Sequence, residues 1–137
     1  MSQRKLTVFV FIVSLIAMSG SLYYSEIKGY LPCDLCWYQR ICMYPMVVCA
    51  YVSWQSKVNV HRFFILPLIG IVISIYHNVI VFKALGAAYC TQNCAQGYTN
   101  YFGFISIPFM ALCAFSLILL AMAYSFYLEK RQNSNKA

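Results

Sequence analysis

Four cysteines and one arginine in this 137-residue chain have the types and spacing for redox chemistry. Cys33 and Cys36 form a C-x-x-C pair, and Cys90 and Cys94 form a second pair separated by Thr91-Gln92-Asn93. Two thiols that close can form a small ring, which suits reversible oxidation or metal binding. The first pair stands where a loop enters an apolar helix. If Cys33 sits in the first turn, the positive end of the helix dipole favours its thiolate, the reactive form. Arg40 follows Cys36 by four residues and shares its helical face. A cation there can hold a thiolate, or donate hydrogen bonds to an oxygen-bearing acceptor such as a quinone carbonyl.

Apolar segments must position these groups. The chain is 62% hydrophobic and 9% charged, where soluble domains carry about 25% charged residues. Four long apolar stretches, at about 6–24, 37–54, 63–82 and 102–128, account for the excess. Ala17-Met18-Ser19 would pass as a signal-peptide cleavage site. A signal h-region is only about 7–15 residues, however, whereas a spanning helix needs about 20, so the first stretch reads as a retained span. Pro45, Pro67 and Pro108 each fall inside a proposed span and predict kinks rather than breaks. The tail from Glu129 onward is polar.

The net charge of +7 does not indicate nucleic acid, because most of the charges flank the apolar stretches and act as topology signals. Arg4, Lys5, Lys57, Arg62, Lys130, Arg131 and Lys136 fall on one side; Lys28, Arg40 and Lys83 fall on the other. The positive-inside rule then puts both termini and the 55–62 link in the cytoplasm and the loops at about 25–36 and 83–101 outside. The expected fold is all-α and integral to the membrane. It is an antiparallel four-transmembrane-helix bundle with two short extracytoplasmic cysteine loops, forming a single domain over 1–137.

Topology sorts the seven cysteines. Cys33, Cys36, Cys90 and Cys94 share the oxidising side, where disulfides persist, and none lies in a cytoplasmic segment. Ordinary loop staples are one reading, but a short loop stabilises little, falling from about 3 kcal/mol at 15 residues to roughly 2 at five. Short, exposed bonds are more often labile or catalytic, which favours redox work. A tetrahedral zinc site on all four sulfurs is a further alternative. Cys42, Cys49 and Cys113 fall inside spans and read as small apolar residues. His77, with Asn78 beside it near the outer end of the third span, is a costly polar group at depth; it fits ligand contact or helix–helix hydrogen bonding. Arg40 needs an anionic or carbonyl partner, or must snorkel.

These motifs together resemble the DsbB family, and most of all its shorter Gram-positive BdbC-type branch of thiol–disulfide oxidoreductases. The resemblance covers nearly the whole chain. It includes Tyr23-Tyr24-Ser25-Glu26-Ile27 before the first pair, Trp37-Tyr38-Gln39-Arg40 after it, and Tyr101-Phe102-Gly103-Phe104-Ile105-Ser106-Ile107-Pro108-Phe109 at the last span. It implies an enzyme that re-oxidises an extracytoplasmic thioredoxin-fold thiol oxidase and passes the electrons to a membrane quinone, menaquinone rather than ubiquinone. Cys90 and Cys94 would form the disulfide that the partner attacks. Cys33 and Cys36 would receive the electrons, with Cys36 the sulfur facing the quinone, Arg40 on the quinone oxygen and His77 nearby. In the longer proteobacterial members the second pair is widely separated, so the compact spacing here leaves the order of attack at Cys90 and Cys94 open. A vitamin-K-epoxide-reductase-like enzyme shares the bundle and the quinone logic, but its C-x-x-C belongs near a later helix.

Overall fold

The computed structural model describes residues 3–29, 34–56, 58–83 and 107–135. Within them the chain is all helical: α1 (Gln3–Leu22) runs into a π-helical stretch (Tyr23–Ile27), followed by α2 (Asp34–Ser56), a 3-10 turn (Val60–Phe63), α3 (Ile65–Lys83) and α4 (Ile107–Ser134). α1 packs on α2, α2 on α3, α3 on α4 and α4 back on α1. Hydrogen bonds between helix ends fix the directions. The end of α1 meets the start of α2 through Ser21 and Arg40, and the start of α2 meets the end of α3 through Gln39 and His77. The end of α3 meets the start of α4 through Asn78 and Pro108, and the end of α4 meets the start of α1 through Ser125 and Gln3. Each helix is therefore antiparallel to its two neighbours.

The distribution of side chains reverses that of a soluble domain. Thr7, Ser14, Gln39, Ser53, Ser74, His77, Asn78 and Ser125 are buried, while every helix turns large apolar residues outward. Ile16, Ile41, Val48, Val72 and Leu120 are all more than 60% exposed. Water would penalise such a surface strongly. Several interior hydroxyls bond back to their own helix, Ser14 to the Val10 carbonyl at 2.7 Å and Thr7 to the Gln3 carbonyl at 3.1 Å, which lets polar residues sit inside without a partner helix. The apolar core is small and local, built on Val10, Met46, Ala50, Phe115, Ile118 and Met122. α3 approaches α4 closely because Gly70 has no side chain: a Cβ there would run into the Phe115 ring.

α1 with its π-helical extension, and α4, are each long and apolar enough to cross a bilayer; the apolar part of α3, Ile65–Val79, is shorter. α1 is an integral part of the bundle, with Val10 and Ser14 fully buried. The prolines are more varied than the sequence suggests. Only Pro45 lies in a helix interior. Pro67 falls in the first turn of α3, where a missing N–H leaves no intrahelical bond unmade, so it starts a helix instead of kinking one; Pro108 is the second described residue of α4. The third helix correspondingly begins at Ile65, after the 3-10 turn, and not at residue 63.

One end of the bundle is closed by a polar clasp. Gln3 Nε2 donates to the Ser125 carbonyl at 2.8 Å, and the Ser125 hydroxyl donates to Gln3 Oε1. His61 Nε2 lies 2.9 Å from Glu129 Oε2, and its Nδ1 lies 3.4 Å from Ser125 Oγ. A cavity of about 400 Å³ beside this clasp is lined by His61, Arg62, Phe64, Met122 and Phe126, among others. It lies at the end of the bundle away from Arg40.

Candidate functional site

The opposite end holds three of the residues singled out for chemistry, Cys36, Arg40 and His77. α2 opens at Asp34, which puts Cys36 in its first turn, half-buried, beside the partial positive charge of the helix N-terminus. Cys33, Cys90 and Cys94 lie outside the described residues. Among the described residues no three His, Cys, Asp or Glu side chains gather into a metal site. The four-sulfur zinc alternative draws on cysteines beyond them. Cys42 is buried in the core and Cys49 half-buried, as small apolar residues would be; Cys113 faces outward on α4.

Arg40, one turn beyond Cys36, is held from two sides. Its Nε donates to Ser21 Oγ at 2.9 Å and its Nη2 donates to the Ser21 carbonyl at 3.0 Å. Its guanidinium carbon stands 5.5 Å from the centre of the Trp37 ring, within cation–π range. The carbonyl partner that the sequence demanded is thus supplied by the chain itself, at the point where α1 passes into its π-helical stretch. There the backbone pairing lengthens by one residue, as in the bond from Lys28 N–H to the Tyr23 carbonyl. Such π segments recur at functional sites. Two of the five guanidinium N–H groups are bonded to Ser21, so Arg40 is oriented, and among the described residues its other N–H groups have no acceptor.

Gln39, three residues after Cys36, lies beside the same face and points inward. Its Nε2 lies 3.4 Å from His77 Nδ1 across the α2–α3 contact, and both side chains are buried. His77 therefore makes the helix–helix hydrogen bond that was one of its two expected roles. Asn78 faces the other neighbour, its Nδ2 donating to the Ser74 carbonyl at 2.8 Å and to the Pro108 carbonyl at 2.9 Å. Ser21, Arg40, Gln39, His77, Asn78 and Pro108 thus form a polar band that links the four helix ends at the end of the bundle where α2 begins.

Gln39 and Ser21 were not among the sequence candidates. Gln39 carried a signal, an amide three residues from a reactive thiol at the head of an apolar segment. Ser21 carried none, because its role comes from a contact between residues 19 apart in sequence.

The chain matches the family model "Disulfide bond formation protein DsbB" over residues 3–125, which takes in the whole polar band and both cysteine pairs. The chain belongs to the DsbB family. Among curated relatives of this DsbB-family chain, Disulfide bond formation protein C of Bacillus subtilis is 46% identical over 118 residues, covering 81% of this chain and 85% of that protein. A probable disulfide formation protein of Oceanobacillus iheyensis is 42% identical over 128 residues, covering 85% and 86%. A disulfide bond formation protein B derived from the SPbeta prophage of Bacillus subtilis is 36% identical over 114 residues, covering 80% and 77%. No solved structure is significantly similar. Membership makes the DsbB-family chain a membrane thiol–disulfide oxidoreductase, which accounts for its outward apolar faces.

Proposed function

We propose that this protein generates disulfides for exported proteins by re-oxidising an extracytoplasmic thioredoxin-fold thiol oxidase and passing the electrons to a membrane quinone. The observation that carries this reading is Arg40, anchored on Ser21 and Trp37 one turn from Cys36. A guanidinium that bonds only Ser21 among the described residues, beside an exposed flat ring, suits the carbonyl oxygen of a planar, lipid-soluble molecule. All four helices span the bilayer: their outward apolar residues support this, including for α2, which turns Ile41 and Val48 outward. The clustering of Lys and Arg puts both termini in the cytoplasm and the cysteine loops outside.

The reaction is serial thiolate attack. A partner thiolate attacks the Cys90–Cys94 disulfide and forms a mixed disulfide, releasing one cysteine as thiolate. The partner's second thiolate resolves it and leaves the partner oxidised and both loop cysteines reduced. Exchange with the Cys33–Cys36 disulfide re-forms the Cys90–Cys94 bond and moves two electrons to the first pair. A quinone, menaquinone in this branch, supplies the acceptor for those two electrons and two protons. Cys36 is the sulfur nearer that acceptor, Arg40 holds its oxygen, and His77 lies close by.

Dithiol-dependent reduction of a menaquinone analogue by the purified protein tests this directly. Cys36→Ser should abolish it. Arg40→Ala should raise the quinone KM about tenfold or more, the effect of losing one charge-assisted hydrogen bond. It should leave attack at the second loop intact. An unchanged KM removes Arg40 from the site. Trapped mixed disulfides in Cys90→Ala and Cys94→Ala variants would identify the partner and show which sulfur it attacks.

A further inference from the structure

We propose that the groove beside the Gln3–Ser125 clasp holds one anionic phospholipid, an acyl chain along its apolar walls and the phosphate on Arg62. The groove encloses about 400 Å³, a volume that takes a small molecule or a length of chain. Phe64, Met122 and Phe126 wall it, and Ala123 is exposed on its lipid-facing side. Such walls suit hydrocarbon and offer nothing to a free ion. Arg62 stands in the same lining, exposed, and among the described residues no hydrogen bond or ion pair engages its guanidinium. An unpaired cation at an apolar slot matches one ligand chemistry, an amphiphile with an anionic head.

The surrounding charge selects an anionic head over a zwitterionic one. α3 begins at Ile65, three residues after Arg62, so the positive end of its dipole opens beside the groove. Lys130 and Arg131 lie about one turn beyond Phe126 on α4, and Arg4 and Lys5 start α1 at the same end. Glu129, the carboxylate at this end among the described residues, is taken up by His61, whose Nε2 lies 2.9 Å away. The His61 ring stands edge-on to Phe126 at 5.6 Å, so the residue that occupies Glu129 also braces a wall of the groove. The site rests on the spanning arrangement proposed above, which puts this end at a membrane surface. It needs neither the quinone chemistry nor a particular sidedness.

Native mass spectrometry of the full chain in detergent, exchanged with equimolar phosphatidylglycerol and phosphatidylcholine of matched chains, tests the site. Phosphatidylglycerol should be retained about fivefold over phosphatidylcholine, the effect of one basic side chain on an anionic head. Arg62→Gln should bring the two lipids to parity. Ala123→Phe, on the exposed face of α4, fills the groove and should lose retention of both while Arg62 remains. The unfolding temperature in the same detergent should rise with phosphatidylglycerol and not with inorganic phosphate. Equal retention of the two lipids by the wild type overturns the proposal. So does a preference that survives Arg62→Gln, retention untouched by Ala123→Phe, or equal stabilisation by inorganic phosphate. Protein that reduces quinone but shows no lipid preference loses this site alone; protein that keeps the preference but fails to reduce quinone loses the proposed function alone.

Discussion

Replacing Gly70 with alanine should destabilise the bundle through a single identified collision. Three atoms of the Phe115 ring lie inside the closest approach of a real Cβ at this position, the farthest of them at 2.7 Å. Phe115 is 1% exposed and sits among Ile118, Met122 and Met46, so the ring has no room to swing aside. Overpacking of a filled core costs about 1–3 kcal/mol, and three clashes against an immobile ring belong at the upper end. Alanine regains about 1 kcal/mol of helix propensity over glycine. The net loss is then about 2 kcal/mol, roughly a thirtyfold shift in the folded-to-unfolded ratio. Reversible unfolding in mixed micelles, followed by the fluorescence of Trp37 and Trp54, measures it. The same substitution in a Phe115→Leu background should lose most of that effect, because the ring that obstructs Cβ is gone. Equal destabilisation in both backgrounds would refute the close-contact account of α3 against α4.

Asn78→Leu removes two amide bonds, one that ties the end of α3 to the Pro108 carbonyl of α4 and one back to the Ser74 carbonyl within α3. Hydrogen bonds within membrane bundles average about 0.6 kcal/mol, so the same unfolding assay should register a loss of about 1 kcal/mol. Arg40→Lys keeps the charge but cannot reach Ser21 Oγ and the Ser21 carbonyl with a planar fork, so the quinone KM should rise nearly as far as in Arg40→Ala. Glu129→Gln at the opposite clasp should lower stability by less than about 1 kcal/mol, since its carboxylate is one-third exposed, and should leave the quinone KM unaltered.

Helix number and the residues around Arg40 were legible because they depend on local patterns. Apolar runs of near-spanning length mark four helices, and the i to i+4 spacing puts Cys36 and Arg40 on one face whatever surrounds them. His77 stood out because an imidazole in an apolar run must find a partner. Which partner it finds was not legible: Gln39 lies 38 residues away, and only the packing of α2 on α3 brings them together. Ser21 was hidden for the same reason. The proline positions misled because an X-Pro inside an apolar run looks alike whether it bends a helix or begins one. Pro67 is resolved by where the first turn of α3 starts, which apolar periodicity does not mark.

The clasp between Gln3 and Ser125 joins residues 122 apart. During synthesis α1 leaves the ribosome first, and its Gln3 amide must wait until nearly the entire chain has been translated before it meets the Ser125 carbonyl. Ser14 and Thr7 tolerate that delay, since each satisfies its hydroxyl within α1. Completion of the last helix is therefore the event that seals the first one, and a nascent chain stalled before α4 would leave α1 inserted but unfastened.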